Sequence, residues 1–250
     1  MPVQVQRRRR LPLSSGLDLP PPFRLATLRE IGDAFAHAKA IAAEAGAGTL
    51  VHVGRFDLVE FAVVLEPEEP LAMARRALYA GLIALRSAVV MHMPPRRLIT
   101  FAWPDAIHVD GALIGGARLA WPSEADEDRA PDWLVFGAVV HRIGAGEETF
   151  QLAGALENEG FEGPDSDELV GNCARHLMAV IDAWQANGFD TVIENYLAHL
   201  AHEAGSSPMI AGNGDLMVRR PGKRAPERHS LAEALAEPAW LDPATGGPRT

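Results

Sequence analysis

Charged and nucleophilic side chains placed next to glycine or proline are where this sequence can do chemistry. Arg55 follows Gly54, and a guanidinium presented from a turn suits a carboxylate or phosphate as well as it suits solvent. Asp105 follows Trp103-Pro104, Arg118 lies just beyond Gly115-Gly116, and Asp33 stands where an alanine-rich segment begins. The glycine pair permits close approach to the backbone by a ligand or, equally, by a neighbouring strand. Asp33 also reads as a helix N-cap and Asp105 as a turn aspartate, so neither needs a ligand to explain it. Cys173 as a thiolate would support acyl transfer, but its apolar helical setting describes an inert core thiol. His199 and His202 have no third ligand at a recognised spacing, and no metal site is expected. Trp103, Trp121 and Trp133 line an apolar pocket or belong to the core. No Ser-His-Asp motif, GxxxxGK(S/T) loop or CxxC pair is present.

The elements that must hold these residues follow from hydrophobic periodicity. Ala34, Ala38, Ile41 and Ala42 share one face of a helix predicted from Asp33 to Ala45, closed by Gly46 and Gly48. Thr49–Val53 and Val59–Leu65 are predicted strands, β-branched and bounded by Gly54-Arg55 and Glu66-Pro67. Leu71, Ala74, Leu78, Leu82, Leu85 and Val89 recur at helical spacing between Pro70 and Pro94-Pro95, which predicts one long helix. Apolar runs at 98–103, 107–109, 113–120 and 133–140 form a meander of strands with turn residues such as Asp110-Gly111 between them. A second amphipathic helix carries Leu169, Cys173, Leu177, Val180, Ile181 and Trp184, and a third follows Asn187-Gly188 through Val192, Tyr196 and Leu200. Beyond Gly205 come a short strand at 215–218, a basic loop, a helical stretch at 230–236 and a Pro/Gly-rich tail. This order predicts an α+β fold with a mixed, largely antiparallel sheet flanked by helices. Three segments are expected: an extended Arg/Pro-rich arm at 1–23, a main domain at 24–204 and a small C-terminal appendage at 205–250.

Composition narrows the function classes. The 250 residues are 48% hydrophobic and 22% charged, enough to bury a full core. With a net charge of -10, a broad nucleic-acid surface is not expected, despite the basic runs at Arg7–Arg10 and at Arg219, Arg220, Lys223, Arg224 and Arg228. These runs are expected to be solvated. One cysteine excludes an internal disulfide framework and suits a reducing compartment. No apolar signal segment or membrane span is read, so a cytoplasmic protein without membrane contact is expected.

Taken in order over roughly residues 25 to 200, four segments carry a family resemblance. They are Gly32-Asp33-Ala34-Phe35 opening the alanine-rich helix; Val53-Gly54-Arg55 before the strand Phe61–Leu65; Trp103-Pro104-Asp105 followed by Asp110-Gly111-Ala112-Leu113-Ile114-Gly115-Gly116; and Ala183-Trp184-Gln185-Ala186-Asn187-Gly188-Phe189 with Tyr196-Leu197 downstream. Together they resemble the biotin and lipoate protein ligase superfamily, whose catalytic fold is class II synthetase-like. Gly212 to Arg220 is similar, more distantly, to the small β-domain found after many biotin ligase catalytic domains.

The resemblance implies ATP-dependent activation of biotin, lipoate or another carboxylic acid as an acyl-adenylate, followed by transfer to a lysine of a biotinyl- or lipoyl-type carrier domain. It assigns Arg55 and Asp105 to the reaction, with Asp105 toward Mg²⁺ or ribose, and Asp33, Gly54, Trp103, Gly115 and Gly116 to binding, while Arg118 is a candidate to supply the phosphate-facing charge in place of a lysine. Fixed cations and backbone donors are what the charge developing on phosphate and carboxylate requires. The family's catalytic lysine would fall at Leu113 or Ala112, and the only lysines of the chain are Lys39 and Lys223. Two readings therefore stand side by side: a ligase-like enzyme, and a catalytically degenerate relative that binds an acyl ligand or an acylated carrier. Acyl transfer without ATP is a third, requiring an accessible Cys173. The acid bound and the oligomeric state stay open.

Overall fold

The computed structural model describes residues 17–144, 154–161 and 165–249; the basic run at Arg7–Arg10 lies outside them. With strands numbered in chain order, the central sheet runs β1 (Arg24–Leu28), β2 (Thr49–Val53), β3 (Leu58–Leu65), β7 (Leu134–His141), β6 (Ala112–Ala120), β5 (Ala106–Val109), β4 (Ile99–Ala102). Only the β1–β2 pair is parallel; the pairs from β2 to β4 are antiparallel. The sheet is thus mixed and mostly antiparallel, as the succession of strands predicts. Every residue of β2 is buried, because both faces of the sheet centre are covered, and polar alternation is accordingly missing there.

On one face lie α3 (Ala77–Val90), α4 (Ser166–Asn187) and α5 (Asp190–Ala198), packed on Leu50, Phe61, Val63, Phe136 and Ala138. On the other lies α1 (Ala34–Ala45), whose Ala34, Ala38 and Ala42 meet Val51, Val53, Ala62 and Val64. Small side chains let this helix sit close to the strands. The Asp33 carboxylate accepts from the Ala36 amide at 2.8 Å, capping α1.

The single long helix expected over 71–89 is instead two: α2 (Leu71–Ala74) and α3, separated at Arg75-Arg76. Both arginines are buried. Arg75 reaches Glu127, while Arg76 reaches Glu69 at 2.6 Å and the Gly212 carbonyl at 3.0 Å. The helical period continues through the break, and the interruption follows from two adjacent buried guanidiniums finding partners far apart in the chain.

Past α5, a second antiparallel sheet contains β8 (Ser207–Ile210), β9 (Leu216–Arg219) and β10 (Glu227–His229), followed by α6 (Leu231–Ala236). Asp215 organises it, accepting from Arg228 Nε at 2.6 Å and from the Leu231 amide at 2.9 Å. Arg220 pairs with Glu203 and Glu227, so part of the basic cluster is matched by acids. This small sheet rests on the main body: Tyr79 Oη donates to the Gly214 carbonyl at 2.6 Å, and Ile210, Leu216, Leu231 and Leu235 join the core under α3. No helix among the described residues is long and apolar enough to cross a membrane.

Candidate functional site

Strand alternation decides which predicted residues meet. Cross-strand pairing sets Glu60 opposite Val139, Val139 opposite Gly116, and Gly116 opposite Ala106. One step along, Ala62 faces Gly137 and Gly137 faces Arg118. Both rows belong to the face that carries α1.

A charged cluster lies at the N-terminus of α1. Arg118 extends over the Phe35 ring, 4.2 Å from its centroid, and brings Nη2 within 3.5 Å of Asp33 Oδ1. Phe35 in turn fills the space over Gly137, where a Cβ would lie 2.5 Å from Phe35 Cδ2. Arg55 binds Asp57 through two nitrogens, at 3.2 and 3.1 Å, and points Nη1 toward Glu60 Oε2 at 3.8 Å. Glu60 is buried and accepts from the Ala34 amide at 2.8 Å. Burial pushes its carboxyl above the ordinary glutamate range, against the pull of the Ala34 amide and the two arginines. Asp33, Arg55 and Arg118 thus come together, and Glu60, which the sequence reading did not single out, stands between them. Its signal was present: an acid in mid-strand between Val59 and Phe61 has to be paired or functional.

The other predicted residues divide. Gly54 is exposed, and a methyl group added to its Cα would meet nothing within 4 Å. Gly115 serves strand packing, since a Cβ there would lie 2.1 Å from the Val139 carbonyl oxygen. Trp103 points away, donating its indole N–H to Tyr79 Oη at 3.0 Å beneath the small sheet. Gly116 faces the α1 side, and what covers it is Trp240: a Cβ at Gly116 would lie 2.3 Å from Trp240 Cε2. Trp240 is 3% exposed and packs with Leu58, Ala106 and Val139, with Leu113 at the edge of the same cluster. Asp105 also faces this indole. Its Oδ2 is buried without a hydrogen-bond partner, and burial pushes the carboxyl up to about 7, with Trp240 pulling the other way. The Trp240 indole nitrogen likewise has no aligned partner. A lone tryptophan in a Pro/Gly-rich tail was the signal for this contact.

The lysines are elsewhere. Lys39 is exposed, with Nζ 5.7 Å from the centre of the Phe35 ring, and Lys223 stands 4.0 Å from Glu227. Cys173 is buried and its thiol is pushed up by burial, which opposes a nucleophilic role. Among the described residues no group of three or more His, Cys, Asp or Glu is placed to hold a metal.

Folding also assembles a group invisible in the linear chain. His52 Nε2 lies 3.2 Å from Ser166 Oγ, and His52 Nδ1 lies 3.6 Å from Asp167 Oδ1. Both His52 and Ser166 are buried, and burial lowers the histidine's affinity for a proton. This is a core histidine satisfied by the first turn of α4. On that same side of the molecule a cavity of 670 Å³ is bordered by Leu65, Arg76, Leu177, Trp184 and Phe189, its one arginine already paired with Glu69.

Residues 19–198 match the model of the Biotin/lipoate A/B protein ligase family, and the chain belongs to that family. The fold agrees. A biotin protein ligase-like protein of unknown function from Silicibacter superposes with a TM-score of 0.76 at 24% identity, over 88% of this chain and 100% of that one. Biotin protein ligase from Aquifex aeolicus in complex with biotin and ATP gives 0.62 at 13% identity, covering 82% and 94%. The Leishmania major ligase in complex with biotinyl-5-AMP gives 0.54 at 19% identity, covering 84% and 100%. No curated protein sequence matches the chain.

Proposed function

We propose that this protein is a catalytically degenerate member of the family, one that binds a carboxylic acid or its carrier-bound acyl group without activating it as an acyl-adenylate. The observation that carries the reading is Leu113. The family's lysine position falls at Leu113 or Ala112, both alkyl side chains, and Leu113 packs at the edge of the Leu58, Ala106, Val139 and Trp240 cluster. No ammonium group is available there to meet charge developing on a phosphate, a loss that typically costs about 3 to 4 kcal/mol of transition-state stabilisation.

The charged cluster supports binding more than activation. Arg55 and Arg118 suit a carboxylate, yet both already face carboxylates of the chain, namely Asp57, Glu60 and Asp33. A triphosphate would have to displace these. Asp105 does not fit Mg²⁺ in this arrangement, because its carboxyl is buried beneath an indole and holds a proton up to about pH 7. Relatives of the same fold are named for complexes with biotin, with biotin and ATP, and with biotinyl-5-AMP, so biotin, lipoate and octanoate are the acids to try first.

Exchange of labelled pyrophosphate into ATP, run with biotin, lipoate, octanoate and no acid, tests the reading. The expected result is no exchange with any acid, alongside a calorimetric binding signal for at least one. Exchange with any one acid overturns it and restores the ligase reading, which the retained Arg55, Arg118 and Gly116 favour. Arg55→Ala is expected to weaken acid binding about tenfold without lowering the melting temperature. Unchanged affinity would remove Arg55 from the site.

A further inference from the structure

The tail after α6 has an unusual pattern of bonds. The Asp242 amide donates to the Gly247 carbonyl at 2.8 Å, the Gly246 amide to the Asp242 carbonyl at 2.9 Å, and the Arg249 amide to the Trp240 carbonyl at 2.7 Å. Arg249 Nε donates to the Ala239 carbonyl at 2.8 Å. The Asp242 carboxylate accepts from the Ala244 amide and from Thr245 Oγ1. Leu241 and Pro248 form a β-bridge. Among the described residues, every well-aligned hydrogen bond drawn by 238–249 returns to the same segment. The segment is therefore a closed loop that makes its own structure.

What joins it to the sheet is apolar surface. Trp240 sits on Gly116 among Leu58, Ala106 and Val139, with Leu241 beside it, and Gly247 comes up to Leu58 and His141. The polar atoms at this junction are poorly matched: the Trp240 indole N–H is turned to the Asp105 carboxyl and favours its ionised form, yet among the described residues neither Trp240 Nε1 nor Asp105 Oδ2, both buried, has a partner in good hydrogen-bond geometry. Burial of one indole is the main attachment of the segment, and the poorly matched polar groups beside it reduce what that burial contributes. Among the described residues, detaching the segment breaks no main-chain bond to the body; it exposes one aromatic and its small apolar bed, gives up a poorly aligned indole–carboxyl contact and rehydrates both groups.

We propose that residues 238–249 are a displaceable strap, an internal competitor whose Trp240 occupies the Gly116 surface that a carboxylic acid with a compact apolar body takes when the strap lifts. The inference rests on the acid-binding reading given above and adds its regulation. The strap masks the site in proportion to the fraction of time it is closed, so a closed fraction of about 90% weakens apparent affinity about tenfold. Leu113 belongs to the same arrangement: an alkyl group there welcomes the indole, where an ammonium group would be buried against it.

The test compares the full-length protein with Trp240→Ala and with Arg249→Ala. Arg249 is exposed, and its loss loosens the strap's own closure without touching the core of the body. Biotin, lipoate and octanoate are titrated calorimetrically into each. In parallel, 5-fluorotryptophan labelling reports Trp240 by ¹⁹F NMR, the signal being assigned by its loss in Trp240→Ala. The expected result is acid binding tightened about tenfold or more in Trp240→Ala and less in Arg249→Ala, with the Trp240 resonance of the unmodified protein moving to its solvent position as acid saturates. Binding by the unmodified protein that neither substitution alters, with an unmoved Trp240 signal, overturns the strap and leaves the acid-binding reading intact. Absence of binding by all three proteins overturns that reading, and the strap's role as its competitor with it. Should Trp240→Ala fail to fold, Trp240→Phe assigns the ¹⁹F signal in its place, and that signal with Arg249→Ala decides.

Discussion

Strands β3 and β7 present Phe61, Val63, Phe136 and Ala138 to α3 and α4 on one side, and Glu60, Ala62, Gly137 and Val139 to α1 and the C-terminal strap on the other. The first side is filled by large side chains in mutual contact, such as the Phe61 and Phe136 rings with centroids 6.4 Å apart. The second has glycines, alanines and a buried carboxylate, and is closed by pieces added from outside the sheet. Identical backbone with opposite side-chain investment separates a face whose centre is closely packed, with its 670 Å³ cavity at the margin beside α4, from one covered by small side chains and by segments from outside the sheet.

The comparison can be broken most forcefully at Phe136. Phe136→Ala is expected to lower unfolding free energy by about 3 to 5 kcal/mol in urea titrations, because the void it leaves opens inside the packed centre of that face. A loss no larger than that of Trp240→Ala would show that the two faces carry equal weight.

Asp105 sharpens the contrast through pH. Burial holds its folded pKa at about 7, above the ordinary 3.8, so its contribution to stability is complete below pH 3.8 and is lost as pH rises through 7. Asp105→Asn should flatten the melting temperature between those limits and raise stability at pH 8 by on the order of 2 kcal/mol. A profile parallel to that of the unmodified protein would mean that the carboxyl is hydrated and the strap open.

At the charged cluster, Glu60→Ala should cost about 1 to 3 kcal/mol, since it leaves the Ala34 amide without its acceptor and two arginines without a shared anion. Faster amide exchange in the first turn of α1, with α3 unaffected, is the accompanying signature. The smallest effect is expected at Cys173: no reaction with a thiol reagent in the folded state, at any pH where the fold persists. Modification before unfolding would revive acyl transfer from a thiol and contradict the burial of Cys173.

Much of the fold was legible because local chemistry and tertiary packing agree. The alanine face of α1, the strands at 49–53 and 113–120 and the Gly188 break all keep their periods in the structure. The parts that were not legible depend on partners distant in sequence. β1 is an edge strand of five residues beside β2, and β8 and β10 are short strands with half-exposed patterns. The break at Arg75-Arg76 needed Glu127 and Gly212 to explain it. Of the candidate site, Asp33, Arg55, Gly116 and Arg118 were recognisable by type and neighbourhood. Glu60 and Trp240 carried a signal, a charge within an apolar strand and an indole within a tail, but its meaning depends on the face they share, which only the fold supplies.

The docking of α6 has a last consequence. Leu231 and Leu235 fix this helix in the core, and only Glu237, Pro238 and Ala239 separate its end from Trp240. So short a tether gives the indole an effective concentration in roughly the millimolar range or above, whatever the concentration of the protein. Under the proposed strap, a free acid would contend with a rival that cannot diffuse away, and the three-residue tether would help set the acid concentration at which the site responds.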